Sequence, residues 1–225
     1  MTMDERFIRN IPSISEEEQE LIASKRILVA GCGGLGGYVS EYLARLGITH
    51  ITVLDCDYFE ESNINRQLLA ASSTIEKSKA ETSKERILSI NPNADAVSVK
   101  EFLSEKNAAS IVRDHDLVID ALDSVDTRLI LEEACAKSGI TIIHGAVHGW
   151  CFQVAVVPPG SGILKRLYGR NRSSESKTIL SFVPPCCAAV QVSEALLNIC
   201  GRPGALQNKV LFYNMETLEN TLITI

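Results

Sequence analysis

No stretch of the sequence reaches the roughly 20 unbroken apolar residues that a helix needs to span a bilayer. The opening MTMDERFIRNIPSISEEEQE is polar and acidic, without the apolar core of a secretory signal. Both absences argue against a membrane or export function and point to a cytoplasmic protein. Positive charge is also short: 22 lysines and arginines stand against 28 aspartates and glutamates, a formal net charge of −6. That balance weighs against a nucleic-acid surface. The seven cysteines, Cys32, Cys56, Cys135, Cys151, Cys186, Cys187 and Cys200, are odd in number and scattered. Such a set reads as reduced thiols, not as a disulfide frame. No internal repeat or low-complexity tract interrupts the chain.

What is present is an ordinary globular composition, 45% hydrophobic and 22% charged over 225 residues, enough for one substantial core without staples. RILVAG reads as a short apolar strand and GGYVSEYLARLG as a helix with Gly47 as its stop. HITVLDCD is a second strand ending in acid, followed by a polar, irregular stretch with one or two helical turns. KAETSKERILSIN is a helix that must end before Pro92. Strand AVSVKEF, helix EKNAASIVRDH, strand DLVIDAL, helix DTRLILEEACAKSG closed by Gly139, and strand ITIIHGAV continue the alternation. This pattern predicts an α/β fold, a doubly wound, mostly parallel Rossmann-like sheet with helices on both faces. After Trp150 the rhythm changes. Strand FQVAVVPPG precedes a Gly-, Ser- and Arg-rich loop, GSGILKRLYGRNRSSESKT, then helix CCAAVQVSEALLNICG and a closing pair of antiparallel strands, KVLFYNMETLENTLITI. The last third is read as an antiparallel extension of the same sheet.

Gly31, Gly33, Gly34 and Gly36 join the first strand to its helix through a turn that lets backbone approach a phosphate and aims helix amides at it. Alone, such a turn is a weak signal, because a tight strand–helix turn with no ligand uses the same glycines. Asp55 ends the second strand, where an acid can accept hydrogen bonds from the ribose of NAD or of any other adenine nucleotide. The loop SNINRQ counts against hydride transfer. Arg66 can fork two N–H donors onto phosphate oxygens, and Asn63 and Gln67 can bind phosphate or ribose oxygens. Lys79 opens a helix, a position the macrodipole disfavours for a cation unless it serves a bound anion. Asp120 and Asp123 lie at and just beyond the carboxyl end of a strand, the edge where doubly wound sheets hold ligands. Asp123 can hold Mg2+ or cap the following helix, with Asp126 as a competing cap. The set is equipment for a triphosphate.

GCGGLGG, LDCD, SNINRQ, the KSKA lysine and DALDS, in that order and spacing, resemble the ThiF/MoeB/HesA group. These are bacterial adenylyltransferases similar to the ubiquitin-activating enzymes. The likeness runs from RFIRN to AAVQVSEALLN, most of the chain. It implies ATP and Mg2+ as cofactors and a small ubiquitin-like sulfur carrier protein, ending in Gly-Gly, as partner. The carrier's terminal carboxylate would attack the α-phosphate, giving an acyl-adenylate and pyrophosphate. A sulfur donor protein would then convert that end to a thiocarboxylate, in thiamine, molybdopterin or related biosynthesis. The resemblance also implies roles. Gly34 abuts the nucleotide with Gly31, Gly33 and Gly36 beside it, and Asp55 binds the ribose with Asp57 near. Asn63, Arg66 and Gln67 hold phosphates, and Lys79 stabilises charge as pyrophosphate leaves. Asp123 holds the magnesium, with Ser124 next to it. Arg9, in RFIRN, matches an arginine that reaches into the partner subunit's ATP site, which implies a homodimer. On this reading a single domain, 1–225, divides into a helical arm (1–24), a nucleotide-binding core (25–147), a strand and crossover loop (148–185) and a C-terminal helix with strands (186–225).

The chain departs from the group at three points. The group's zinc site, two C-x-x-C pairs, is missing. Cys186 and Cys187 are adjacent, about 100° apart on a helix, so a four-cysteine site cannot be assembled and no structural zinc is expected. The crossover loop PPGSGILKRLYGRNRSSESKTILSF holds no cysteine. Cys186 and Cys187 follow at a helix start, where amide dipoles can lower a thiol pKa, although small core residues is the plainer reading. Adenylation is therefore better supported than sulfur transfer. Third, Ser124 stands where relatives carry Asn, and Asn10 where they carry Gln. His144 reads as a buried strand residue, and His148 with Trp150 as lining for the carrier's approach. Lys165, Arg166, Arg170 and Arg172 read as a clamp on the carrier's tail or as a solvated face. The alternatives are a tRNA-modifying dehydratase relative, a nucleotide-binding regulator and an NAD dehydrogenase.

Overall fold

The computed structural model describes residues 4–169, 178–204 and 206–225. A 3-10 turn, Glu5–Asn10, leads to α1 (Glu16–Ala23), which Ser15 and Glu18 open with a reciprocal capping box. Strands β1 (Arg26–Ala30), β2 (His50–Leu54), β3 (Asp95–Val99), β4 (Leu117–Asp120), β5 (Thr141–His148), β6 (Cys151–Val157), β7 (Lys209–Asn214) and β8 (Glu219–Thr224) form one sheet. Their order is β3-β2-β1-β4-β5-β6-β7-β8. The first five run parallel, and β6, β7 and β8 are added antiparallel. The α/β class, with an antiparallel extension, is the one the sequence predicts. The chain winds outward from β1 to β3 and then returns to place β4 on β1's other side. The crevice opened by that reversal is where such sheets bind ligands.

Alternation along the strands builds two cores. Ile27 and Val29 face one side with Ile51, Val53, Leu117 and Ile119; Leu28 and Ala30 face the other with Leu54 and Val118. The first face is covered by α1, α2 (Gly36–Leu46), α3 (Lys79–Ile90) and α7 (Val183–Ile199); the second by α4 (Ala108–Val112), α5 (Val125–Ser138) and α6 (Ile163–Tyr168). Gly47 and Gly139 close α2 and α5 in the left-handed region, at φ 90° and 71°.

Three local expectations are corrected. The helix expected over EKNAASIVRDH is confined to α4. Asn107 accepts a hydrogen bond from the Ser104 amide at 2.8 Å, holding a turn where the first helical turn was expected. The loop expected from Gly160 begins with α6 instead. Its first amides find their acceptor on another helix: Leu164 N and Lys165 N donate to the Glu132 carboxylate of α5 at 2.8 and 3.0 Å. Helix α7 starts at Val183, with Pro184 and Pro185 in its first turn, where the missing N–H groups cost nothing.

Candidate nucleotide site

At the carboxyl edge of β1, β2 and β4 lies a cavity of about 350 Å³, within the range of small-ligand sites. Ten of the expected residues line it: Gly31, Gly33, Gly34, Asp55, Asp57, Arg66, Gln67, Lys79, Asp123 and Ser124. Gly36, Asn63 and Arg9 are not among its walls.

The glycines divide into two kinds. Gly31 has φ 97°, and a Cβ there would meet the Ala121 carbonyl oxygen at 2.6 Å; a Cβ on Gly36 would lie 1.8 Å from the Gly31 oxygen. Those two are demanded by the protein's own packing. At Gly33 and Gly34 the nearest atoms would be Gln67 Nε2 at 3.6 Å and Arg66 Cγ at 3.7 Å, ordinary contacts. Here the missing side chains leave room in the cavity. The helix that follows is capped by no side chain at Leu35, so its first amides can serve an anion.

Asp55 is tied to this turn. Its carboxylate accepts from the Cys32 amide at 2.7 Å and the Asp57 amide at 2.8 Å. Burial holds its carboxyl above the usual carboxylate range, against the opposing pull of those amides. Lys79, buried at the first position of α3, reaches Asp57 Oδ2 at 3.0 Å. Asp57 is well exposed, so an incoming phosphate competes with a hydrated carboxylate for a cation already in place.

Arg66 is steered by its own loop: Nη1 donates to Ser62 O and Asn65 Oδ1, both at 2.8 Å. Gln67 is buried with its Oε1 lacking a partner among the described residues. Asn63 is committed to its 3-10 turn, accepting from the Glu60 amide at 3.2 Å. Asp123 is exposed in the loop after β4, and the capping position of α5 belongs to Ser124, whose side chain makes no cap hydrogen bond.

Other expected positions fall outside the cavity. Arg9 is exposed on the 3-10 turn. His148 is exposed, and the Trp150 ring packs on Phe182 at 5.2 Å instead of facing the cavity. Lys165 and Arg166 stand on α6; Arg170 and Arg172 lie outside the described residues. Cys187 is fully buried, which pushes its thiol far above the usual range, as befits a core residue.

Of the further residues that line the cavity, Phe102, Arg128 and Ile179 are the ones the sequence reading does not single out and whose chemistry bears on a ligand. Arg128 follows Ser124 by one helical turn, so the spacing in DSVDTR carried the signal. Phe102 is 63% exposed just past β3, an aromatic with no packing reason to be there. Ile179 arrives through tertiary structure alone: Asn65 Nδ2 donates to its carbonyl at 3.1 Å and Gly149 N to Thr178 O at 2.7 Å.

Fold and cavity together define a doubly wound α/β protein with a phosphate-suited site at the reversal of its strand order. Residues 6–224 match the ThiF family, and the chain belongs to it. It is 28% identical over 221 residues to the SAMP-activating enzyme E1 of Haloferax volcanii, covering 95% of this chain and 82% of that one. It is also 28% identical to the molybdopterin-synthase adenylyltransferase of Escherichia coli, covering 89% of this chain and 83% of the relative. A solved structure, the E. coli tRNA N6-threonylcarbamoyladenosine dehydratase TcdA, matches with a TM-score of 0.75 at 28% identity, over 87% of this chain and 94% of that one. Kinship with adenylyltransferases makes the chain an enzyme of the nucleotidyltransferase class.

Proposed function

We propose that the chain uses ATP to activate the C-terminal glycine carboxylate of a small ubiquitin-like sulfur carrier as an acyl-adenylate, releasing pyrophosphate. The observation that carries this reading is the meeting of Arg66, Lys79 and Asp123 on one glycine-walled cavity. A carboxylate attacking a polyanion is opposed by charge, so the site must supply cations and alignment together. Arg66 and the Gly33–Gly34 turn hold the triphosphate. Lys79 exchanges Asp57 for phosphate oxygen and offsets charge as the bond from the α-phosphorus to the bridging oxygen breaks. Asp55 and Asp57 receive ribose hydroxyls, and Gln67, with its open oxygen, is a further acceptor there.

Magnesium suits the donor set: Asp123 offers a hard carboxylate oxygen, and the nucleotide supplies the rest. Held by Asp123, it would supply positive charge that offsets the charge of the phosphates. Asp123, with Ser124 beside it, holds that position. Arg9, exposed on the N-terminal arm, reaches a second copy's site in the homodimer we infer. No helix among the described residues is long and apolar enough to cross a membrane, in keeping with a cytoplasmic setting.

ATP–pyrophosphate exchange, measured with purified carriers ending in Gly-Gly from thiamine- and molybdopterin-type pathways, tests this. Carrier-dependent exchange is expected. The near-complete overlap with the tRNA dehydratase supports a second acceptor, a carboxylate on a modified tRNA base. Exchange stimulated by tRNA and by no carrier would establish that reading instead.

A further inference from the structure

Behind the cavity floor lies a set of buried polar side chains that the proposed chemistry does not use. Asp120, the last residue of β4, is fully buried, and its Oδ2 lies 2.7 Å from Nδ1 of His144, its register partner on β5. With Nδ1 donating to that carboxylate, Nε2 of the imidazole is the acceptor. It meets the Tyr168 hydroxyl at 2.9 Å and Gln153 Nε2 at 3.2 Å. The Tyr168 oxygen in turn accepts from Arg128 Nη1 at 3.2 Å. Burial drives His144 below its ordinary pKa, toward the neutral form that this pattern needs.

Both loose ends of this series close on one residue, Leu122, and so on the two peptide groups that flank it. Asp120 Oδ1 accepts from the Leu122 amide at 3.0 Å, and Arg128 Nη2 donates to the Leu122 carbonyl oxygen. The hydrogen bonds therefore form a ring, from Leu122 through Asp120, His144, Tyr168 and Arg128 back to Leu122. The next residue in the chain is Asp123. Apolar side chains of similar volume would fill this space with comparable stability, but they could not hold the N–H and the C=O of Leu122. Arg128 is also part of the cavity wall.

We propose that this ring is the positioning device for Asp123: it fixes the peptide groups on both sides of Leu122, the second of which leads into Asp123, and so aims that carboxylate at the metal–triphosphate. Arg128, Tyr168 and His144 are then positioning residues, and the inference rests on the reading of Asp123 as the metal acid. Losing a group that fixes a ligand's direction from behind commonly costs roughly 10- to 100-fold in metal affinity. Tyr168 ends α6, so the ring also ties the segment leading into the crossover to the metal acid.

The test is Mn2+ binding to the whole protein saturated with the non-hydrolysable α,β-methylene analogue of ATP, followed by electron paramagnetic resonance. Tyr168→Phe removes one hydroxyl and keeps the ring. It is expected to weaken Mn2+ binding roughly tenfold, while affinity for the analogue without metal stays at the wild-type value, a split that a general loss of packing would not produce. Should Tyr168→Phe fail to fold, His144→Asn, at a position outside the cavity wall, keeps a donor for Asp120 but loses the acceptor for Tyr168 and gives the same readout. Asp123→Asn separates the two layers. If it abolishes Mn2+ binding while the ring variants bind as wild type, the ring proposal is overturned and the metal acid stands. If Asp123→Asn itself binds Mn2+ normally, the underlying reading falls and the ring proposal with it.

Discussion

β1, β2 and β4 run side by side in one direction and end at one edge of the sheet, while β6, β7 and β8 reverse at every turn. Strands β1 and β4 are buried at every position but Arg26, whereas β8 is exposed at all six. Parallel direction brings every carboxyl end to the same place, and there the chain has set Gly31, Asp55 and the Asp120–Asp123 loop. The antiparallel half delivers strand ends alternately to both edges, and its crossover segment reaches the cavity with Ile179. The cavity opens where strand direction repeats, and the antiparallel half widens and closes the sheet.

The sharpest way to break this contrast is at the cations of the parallel half. Lys79→Met keeps the buried aliphatic stem and removes the ammonium. The exchange rate is expected to fall roughly 10²- to 10³-fold, the scale for losing one group that stabilises developing charge. Unfolding in urea should change little, because the partner left behind, Asp57, is exposed and hydrated. Near-wild-type exchange would remove Lys79 from the chemistry and, with it, the case for the parallel edge as the site.

A pair of alanine substitutions sharpens the contrast within the glycine turn. Gly36→Ala drives a methyl to 1.8 Å from a backbone oxygen, and a loss of about 3 kcal/mol of stability is expected from that overpacking. Gly33→Ala meets only ordinary contacts, so stability should hold to within about 0.5 kcal/mol. ATP affinity should nonetheless drop roughly tenfold, the worth of one amide–phosphate hydrogen bond. Calorimetric titration with ATP and urea unfolding on both variants decide this. Equal effects on stability would mean that the turn is shaped by packing throughout, not partly by a ligand.

Legibility in the sequence follows the same division. The parallel half announces itself because local signals agree there: apolar strands, glycine stops at Gly47 and Gly139, and Pro92 after α3. Arg66, Lys79 and Asp123, which line the cavity, are legible because each lies between a parallel strand and the helix after it, or at that helix's start. Where stabilisation comes from far along the chain, the sequence is silent. Helix α6 depends on Glu132, some thirty residues upstream, and Ile179 is carried to the cavity by Asn65 and Gly149. The buried place of His144 was read correctly. Its ring of partners was not, since Gln153, Tyr168 and Arg128 meet it only after the sheet and α6 have formed.

The smallest expected effect falls on the outermost strand. Ile223 is 47% exposed on β8, opposite the fully buried Val210 of β7. Since half of its surface already meets water, Ile223→Thr forfeits little burial, and threonine retains the β-branched shape that suits a strand. Stability should change by no more than about 0.5 kcal/mol, as for surface sites away from caps and cores, and carrier-free ATP binding should not change at all. A stability loss of several times that size would mean that β8 is part of the main core and that the two halves fold as equals. Normal stability with a selective loss of carrier-dependent exchange would instead give the antiparallel edge a share in acceptor docking, and the contrast would then lie between nucleotide and acceptor, not between site and scaffold.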